Sequence, residues 1–280
     1  MVREVNPKVY TEKYYLTDCV GYKEFRESYG KMLEVRLKKV IEKVPSVKNH
    51  VVLDIGCGRG ELVFWAARNG AKKAIGVDYS KSAIKLARNA KKYFNKKIQS
   101  KVEFFVMNAK KLNFPDKSID SIFLVEVLEH LFPEEQELVF KEICRVLKDK
   151  GFVLVHTAPN KIFNDFTYKI WCYPLSTILV KFNNLIQRHN YPNLQSPSKI
   201  RTKSHKIMHV GEPTYFSLKR VIFQNGFCGK IMSTNVTINK PVLGWKDIIF
   251  NFVIYLYPLS KYFPFNVFWG NDFISVLRKR

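Results

Sequence analysis

Three side chains that can carry acid–base or metal chemistry stand close together at Glu126, Glu129 and His130. If this segment is helical, their i, i+3, i+4 spacing places all three on one face. A carboxylate or an imidazole there can remove the proton of a hydroxyl group. Two carboxylates and an imidazole can instead bind a divalent cation such as Mg²⁺, with His205 or His209 as a further ligand. The pattern leaves open whether these side chains act as a base or as metal ligands. A third alternative is that His130 has only a packing role.

A glycine-rich turn is the second feature with chemical potential. Residues 51–60 read VVLDIGCGRG and precede a predicted helix over 61–68. The apolar run predicts a buried strand, and Gly56, Gly58 and Gly60 follow it. Glycines let a ligand approach the main chain closely, and the free N–H groups at a helix start favour a carboxylate or another anion. The pattern therefore predicts a ligand site where this strand ends.

A second acid at a strand end indicates the kind of ligand. Residues 73–77 form a short predicted strand that ends at Asp78, 22 residues after Gly56. An acid at this distance, on the neighbouring strand, can accept hydrogen bonds from a ribose diol. The layout predicts a cofactor that contains adenosine. NAD-dependent enzymes share it, so it does not identify the reaction.

Five ordered motifs resemble those of class I S-adenosylmethionine (SAM)-dependent methyltransferases. They are LDIGCGRG at 53–60, GVDYS at 76–80, FPDKSID at 114–120, EVLEHL at 126–131 and RVLKDKG at 145–151. The similarity spans roughly residues 30–235, and the shared order makes chance agreement improbable. The resemblance implies SAM as cofactor and methyl transfer as the reaction.

The resemblance also implies which residues bind the cofactor. These are Asp54, Gly56, Cys57, Gly58, Gly60, Asp78, Tyr79, Asn108, Ala109 and Glu126. Asn108 departs from the family, which usually has an acid at this position that contacts the adenine amino group. An asparagine can still accept that hydrogen bond through its amide oxygen.

The Glu-x-x-Glu-His pattern is similar to that of two groups within the family. They are ubiquinone-pathway O-methyltransferases, which it resembles most, and small-RNA 3′-end 2′-O-methyltransferases. In both, the cluster holds Mg²⁺ that polarises the acceptor hydroxyl, which implies Glu126, Glu129 and His130 as metal ligands here. Without a metal, His130, Glu126 or His156 (at a predicted strand end) is the expected catalytic group.

Strands that alternate with helices predict an α/β fold with a Rossmann-like, doubly wound parallel sheet. The resemblance implies seven strands, of which the last is antiparallel. The predicted strands cover 51–55, 73–77, 102–106, 119–125, 151–155, 226–234 and 272–277. The predicted helices cover 23–44, 61–68, 81–93, 133–147 and 213–224.

The chain has two segments in addition to a minimal fold of this class, an insertion and an aromatic segment. We expect an N-terminal helical cap over 1–45 and a methyltransferase domain over 46–280. Within the domain, residues 161–210 form an insertion after strand five, and residues 242–269 form an aromatic segment before the last strand. In doubly wound sheets ligands bind beyond the carboxyl ends of the strands. The insertion leaves from such an end, so we expect it to cover the acceptor pocket as a lid.

Composition and charge indicate the cellular compartment and the class of partner. The chain has 280 residues, five cysteines without paired spacing and no apolar leader after its start, which favours the cytoplasm over secretion. The net charge of +23 favours an anionic partner, either nucleic acid or an anionic membrane surface, although a solvated lysine-rich surface explains it equally well. The sequence predicts no oligomeric state.

The apolar runs at 170–180 and 248–260 have basic flanks and are too short to span a bilayer. They predict either mutual packing around a hydrophobic acceptor pocket or peripheral contact with an anionic membrane. We expect an O-methyltransferase that acts on a small molecule, lipid or glycan. An RNA 2′-O-methyltransferase is the first alternative and is disfavoured because no basic stacking surface is evident. An NAD(P)-binding oxidoreductase and a non-enzymatic SAM-binding module are the others.

Overall fold

A seven-stranded sheet forms the centre of the computed structural model, which describes residues 3–187, 192–235 and 244–280. Its strands are β1 (Val51–Ile55), β2 (Lys73–Asp78), β3 (Val102–Val106), β4 (Ile119–Val125), β5 (Leu147–Thr157), β6 (Phe227–Cys228) and β7 (Phe273–Lys279). Their order is β3-β2-β1-β4-β5-β7-β6. The strand β7 runs antiparallel to both of its neighbours, β5 and β6, and the other described pairs are parallel. The predicted fold is confirmed, including its antiparallel last strand.

Register brings the carboxyl ends of the central strands to one edge. Ile55 pairs with Val77 on one side and with Leu124 on the other, and Val125 pairs with His156. The residues that follow β1, β2, β4 and β5 are therefore neighbours. Apolar clusters cover both faces of the sheet, as parallel sheets require.

Helices flank the sheet, and those predicted over 61–68, 81–93, 133–147 and 213–224 are present. The helices are α1 (Glu12–Thr17), α2 (Tyr22–Ser28), α3 (Val35–Ile41), α4 (Glu61–Arg68), α5 (Lys81–Lys91), α6 (Lys96–Gln99), α7 (Pro133–Val146), α8 (Tyr173–Gln187), α9 (Lys203–Met208), α10 (Tyr215–Gln224) and α11 (Trp245–Tyr255). Ser80 caps α5 by accepting a hydrogen bond from the Ala83 N–H, and Pro133 occupies the first turn of α7.

Two predicted elements differ in the structure. The single helix expected over 23–44 is two helices, because Tyr29 and Gly30 adopt left-handed φ angles of 53° and 83°. The strand expected over 226–234 is shorter and consists of β6 with one bridge at Met232. The N–H groups of the residues beyond it bond to the side chain of Asp272 instead of to a strand.

The insertion and the aromatic segment contact each other. The insertion begins with a π-helix, Phe163–Cys172, and continues into α8. The Trp171 Nε1–H donates to the Val253 carbonyl at 3.2 Å, and the Cys172 Sγ lies 3.3 Å from the Ile254 carbonyl, so this part of the insertion packs on α11. Residues 188–191 and 242–243 of the two predicted segments lie outside the described residues.

None of the helices within the described residues has both the length and the apolar character that crossing a bilayer requires. The division into a cap over 1–45 and a domain over 46–280 remains a prediction.

Short 3₁₀ helices complete the described structure at Pro7–Val9, Leu128–His130, Leu259–Lys261 and Phe265–Val267.

Candidate active site

The glycine turn holds the ends of β1 and β2 together. Gly56, Gly58 and Gly60 have φ angles of 70°, 51° and 89°. The Gly56 N–H donates to the Val77 carbonyl at 2.8 Å. A Cβ atom at Gly56 would lie 2.4 Å from Cγ2 of Val127, so the loop after β4 presses directly on this turn. Only glycine fits that approach in that conformation.

Asp78 braces the same turn from the neighbouring strand. Its Oδ2 accepts a hydrogen bond from the Gly58 N–H at 3.0 Å, and its Oδ1 accepts one from the Ser80 N–H at 2.8 Å. Burial raises the pKa of Asp78 to about 6, against these two hydrogen bonds. Burial also raises the pKa of Asp54, with a further contribution from the charge of Glu61.

A cavity of about 1000 Å³ lies beyond these strand ends. Nine of the ten predicted cofactor residues line it: Asp54, Gly56, Cys57, Gly58, Asp78, Tyr79, Asn108, Ala109 and Glu126. Gly60 lies behind the turn instead, where a Cβ atom would come within 2.7 Å of the Phe104 ring. The structure therefore brings the predicted cofactor residues together, and it gives Gly60 a packing role.

The N-terminal segment closes one end of the cavity. Asn108 Nδ2 donates to Oε2 of Glu4 at 3.3 Å, and Lys110 pairs with the same carboxylate at 2.6 Å and with Glu135 at 2.7 Å. The Asn108 amide oxygen accepts the Lys110 N–H at 3.0 Å. This oxygen retains a second lone pair, which is what an adenine amino group would need.

Arg59 ties the segment before α3 to the glycine turn. Its guanidinium donates to the carbonyls of Tyr15 at 2.6 Å and Val20 at 2.8 Å, and it forms a salt bridge with Glu61 at 2.7 Å. Ser80 Oγ similarly donates to the Tyr10 carbonyl at 2.9 Å. The cap is therefore fastened to the residues that form the cofactor end of the cavity.

Glu126 lies in a row of alternating charges. It has a φ of 58° directly after β4, and its carboxylate lies 3.0 Å from Arg36 Nη1 and 2.6 Å from His156 Nδ1. The latter is a charge contact rather than an aligned hydrogen bond. Although burial acts to raise the pKa of Glu126, the charges of Arg36 and His156 lower it to about 2. This carboxylate is held ionised.

His156 is fully buried and connects two carboxylates. Its Nε2 lies 3.0 Å from Oδ2 of Asp272, whose other oxygen accepts the N–H groups of Thr234 and Asn235 at 2.9 and 3.0 Å. Burial acts to lower the pKa of His156, but the charges of Glu126 and Asp272 raise it to about 9. His156 does not line the cavity, so its place in the structure suits positioning of Glu126 more than contact with an acceptor.

Glu129 and His130 line the cavity beyond Glu126. Thr157 Oγ1 donates to Glu129 Oε2 at 2.7 Å, and burial followed by the charge of Glu126 raises the pKa of Glu129 to about 7. His130 Nδ1 lies 3.2 Å from the Met208 carbonyl. Burial and the nearby His209 lower the pKa of His130 to about 3, so its imidazole is neutral.

The residues of the Glu-x-x-Glu-His string do not lie on one helix face, so the helical arrangement considered from the sequence does not form. The 3₁₀ turn Leu128–His130 begins after the left-handed Glu126, so the α-helical spacing never forms. Across the described ranges, no group of three or more His, Cys, Asp or Glu side chains is arranged to hold a metal ion. Glu126 is paired with Arg36 and His156 instead. The described residues therefore give the predicted Mg²⁺ site no support.

The other half of the cavity is built from distant segments. The insertion contributes apolar and aromatic side chains, and α11 contributes Tyr255. The lining includes Phe163, Tyr168, Leu194, Ile200, Arg201, His205, His209 and Glu212. His209 Nδ1 lies 3.2 Å from Glu212, which pairs with Arg201. Asn164, Asn193, Gln195, Thr202 and Ser204 line this half as well, so the wall combines an apolar patch with polar, charged and imidazole side chains.

The sequence analysis did not identify three residues of this site, Arg36, Asp272 and Tyr10. Arg36 occupied a position in the apolar spacing of its predicted helix, which was the one available signal that it points inward. Asp272 was placed only as the start of a strand. Tyr10, whose hydroxyl lies 3.0 Å from His130 Nδ1, carried no signal beyond being one of several N-terminal tyrosines.

Comparison with known proteins agrees with this geometry. The family model described as "Methyltransferase domain" matches residues 53–155. A ubiquinone biosynthesis O-methyltransferase of Pelagibacter ubique is 32% identical over 124 residues, which cover 44% of this chain and 48% of that relative. These matches support placing the region 53–155 among the class I SAM-dependent methyltransferases. The NAD(P)-dependent alternative is left without support.

Other methyltransferases match the same region. A tRNA N(3)-cytidine methyltransferase of Gallus gallus is 27% identical over 124 residues, or 43% of this chain and 34% of the relative. The solved SAM-dependent methyltransferase of Mesorhizobium loti has 15% identity and a TM-score of 0.55, covers 94% of this chain and is itself covered completely (100%), which shows the shared fold. The chain spans less than half the length of these two curated relatives.

Proposed function

We propose that this chain transfers the methyl group of SAM to a hydroxyl of a small-molecule, lipid or glycan acceptor. One observation carries the proposal: a single cavity is lined at one end by the braced glycine turn and at the other by a carboxylate of raised pKa and an apolar wall. SAM supplies an electrophilic methyl carbon when bound. The residues of the chain have to hold it, orient the acceptor and remove a proton.

The cofactor end is assigned to SAM on the basis of the residues that line it. The positive φ at Gly56 and its contact with Val127 keep the turn free of a side chain at this position, which lets a ligand approach the main chain closely. Asp78 is assigned to the ribose hydroxyls, and Asn108 with Ala109 to the adenine edge. Cys57 and Tyr79 line the space between them.

Proton removal is assigned to the Glu129–His130 pair. A general base works best when its pKa lies near the working pH, and Glu129 at about 7 meets that condition. If the Met208 carbonyl accepts the His130 Nδ1–H, then Nε2 carries the lone pair and can orient the acceptor hydroxyl. Glu126, held ionised by Arg36, adds negative charge near the sulfonium.

RNA is the second acceptor class. The net charge of +23 and the similarity to a tRNA methyltransferase favour it. The apolar wall from Phe163, Tyr168 and Tyr255 favours a lipid-like or small apolar acceptor instead. The proposed setting is the cytoplasm, with peripheral contact with an anionic membrane.

Methyl labelling of extracts tests the proposal. The purified chain is incubated with methyl-tritiated SAM and an extract that is then divided into lipid, glycan, RNA and small-molecule fractions. We expect label in the lipid, glycan or small-molecule fraction and none with an Asp78→Ala variant. Label confined to RNA would support the second class. No label in any fraction, from a chain that binds SAM, would contradict methyl transfer.

A further inference from the structure

A stripe of exposed apolar side chains runs along the insertion. Its members recur every four residues through the π-helix and α8: Phe166, Ile170, Pro174, Ile178, Phe182 and Ile186. The five other than the proline are between 53% and 64% exposed. Solitary exposed apolar residues are ordinary, but a continuous row of this length marks an interaction surface. We call it the α8 stripe.

A second apolar row lies on α11. Trp245, Ile248, Ile249 and Phe252 recur at helical spacing and are between 49% and 67% exposed. The elements that carry the two rows adjoin, because Trp171 of the insertion, itself 42% exposed, donates to the Val253 carbonyl of α11. The α8 stripe and this α11 row together form an apolar surface.

The same helices form the wall of the acceptor half of the cavity. Phe163 and Tyr168 of the π-helix and Tyr255 of α11 line the cavity, whereas Phe166 and Phe252, on the same elements, are exposed. One side of this wall therefore meets the acceptor and the other meets the surroundings. A molecule bound by the partner that covers this apolar surface would be separated from the cavity by the width of one helix.

Basic residues flank the surface. Residues 161–210 hold eight Lys or Arg and a single acid, Asp165. Lys169, Lys181 and Lys246 are exposed along the two rows, and Lys246 Nζ lies 5.7 Å from the ring of Trp245. Lysines beside exposed aromatic and aliphatic side chains match the boundary of an anionic bilayer, where the former meet headgroups and the latter enter the acyl region.

We propose that the α8 stripe and the α11 row lie in the interface of an anionic lipid bilayer and hold the acceptor half of the cavity against it. The helices rest in the interface and do not cross it, in agreement with their length. That the acceptor is then taken from the membrane rests on the proposed function. The docking itself does not, and it is measured without methyl transfer.

Vesicle co-sedimentation tests the docking. The full chain is mixed with vesicles of phosphatidylcholine alone or with a third of phosphatidylglycerol, at low and high salt. We expect binding to the anionic vesicles, weakened by salt because surface charges are screened. Phe182→Ser with Phe252→Ser should weaken partitioning at least about tenfold.

A matched variant controls for loss of surface phenylalanines. Phe216 and Phe223 on α10 are each 59% exposed and lie outside both rows. Phe216→Ser with Phe223→Ser should leave vesicle binding unchanged. Both double variants must bind SAM like the parent chain, which shows that they fold.

Several outcomes would overturn the docking. They are absence of sedimentation at low salt, equal binding to neutral vesicles, or equal loss in the α10 control. A dimer that forms without lipid and is abolished by Phe182→Ser with Phe252→Ser, in a chain that ignores vesicles, would assign the surface to a second copy. Binding to vesicles without methyl transfer to any fraction would contradict the proposed function and leave the docking intact.

Discussion

The two ends of the cavity are built in different ways. Most of the proposed cofactor end comes from one stretch, 51–80, in which β1, the glycine turn and β2 contact one another through main-chain bonds, and Asn108, Ala109 and Glu126 add to it from later in the chain. The acceptor end is assembled by side chains from distant parts of the chain, such as Arg36, Glu129, His209 and Tyr255. Local backbone geometry therefore shapes the proposed cofactor end, whereas long-range packing shapes the proposed acceptor end.

The largest expected effect breaks the cofactor end. Asp78→Ala removes the acceptor for the Gly58 and Ser80 N–H groups together with the proposed ribose contact. Charged hydrogen bonds are worth about 1.5–3 kcal/mol each, so SAM affinity should fall at least about 100-fold in calorimetry. Glu103→Ala is the control, at a partly exposed acid of β3 that pairs with Lys73 and does not line the cavity. Unchanged affinity in Asp78→Ala would contradict the assignment.

The next effect separates the two ends. Glu129→Gln should lower kcat about 100-fold and leave SAM affinity unchanged. A base acts when ionised, so the rate of the parent chain should rise with pH and level off above about pH 7, and this rise should be absent in the variant. Glu134→Gln, at an exposed acid of α7, controls for charge loss. If the rise instead survives in Glu129→Gln and disappears in His130→Asn, His130 is the base.

The same contrast explains what the sequence could predict. The strand and helix order followed from short-range signals, namely apolar runs, a glycine turn and an acid at fixed distance, whereas the resemblance to SAM-dependent methyltransferases implied the predicted cofactor residues, nine of which line the cavity. These signals lie within a few turns of chain and need no knowledge of tertiary contacts. The errors were local as well, as where Tyr29 and Gly30 interrupt a helix that apolar spacing alone had favoured.

The acceptor end lacked such signals. Nothing near Glu126 in the sequence announces that Arg36, 90 residues earlier, pairs with it, or that His156 connects it to Asp272. The expected helix face failed because the backbone at Glu126 turns left-handed, a conformation that tertiary contacts impose on a non-glycine residue. Ion pairs across such separations depend on the completed fold.

A smaller effect examines how that long-range network is held. His156 has a pKa raised to about 9 against about 6.5 when unfolded, so its contribution to stability is full below about pH 6.5 and is lost as the pH rises to about 9. Urea unfolding should show a loss of up to about 3 kcal/mol across that window. His156→Asn should flatten the slope, most clearly between pH 7.5 and 9, where Glu129 no longer titrates. An unchanged slope would contradict the charged network.

The smallest expected effect lies where the two ends meet. The main-chain carbonyl of Tyr10 accepts a hydrogen bond from Ser80 Oγ on the cofactor side, at 2.9 Å. Its hydroxyl lies 3.0 Å from His130 Nδ1 on the acceptor side. Tyr10→Phe removes only the hydroxyl, which is worth about 1 kcal/mol, so kcat should fall a few-fold with SAM affinity unchanged. In a His130→Asn background the same substitution should have no further effect on kcat, since the partner is absent. An equal loss in both backgrounds would mean that Tyr10 acts through packing, and the cap would then belong to the cofactor end alone.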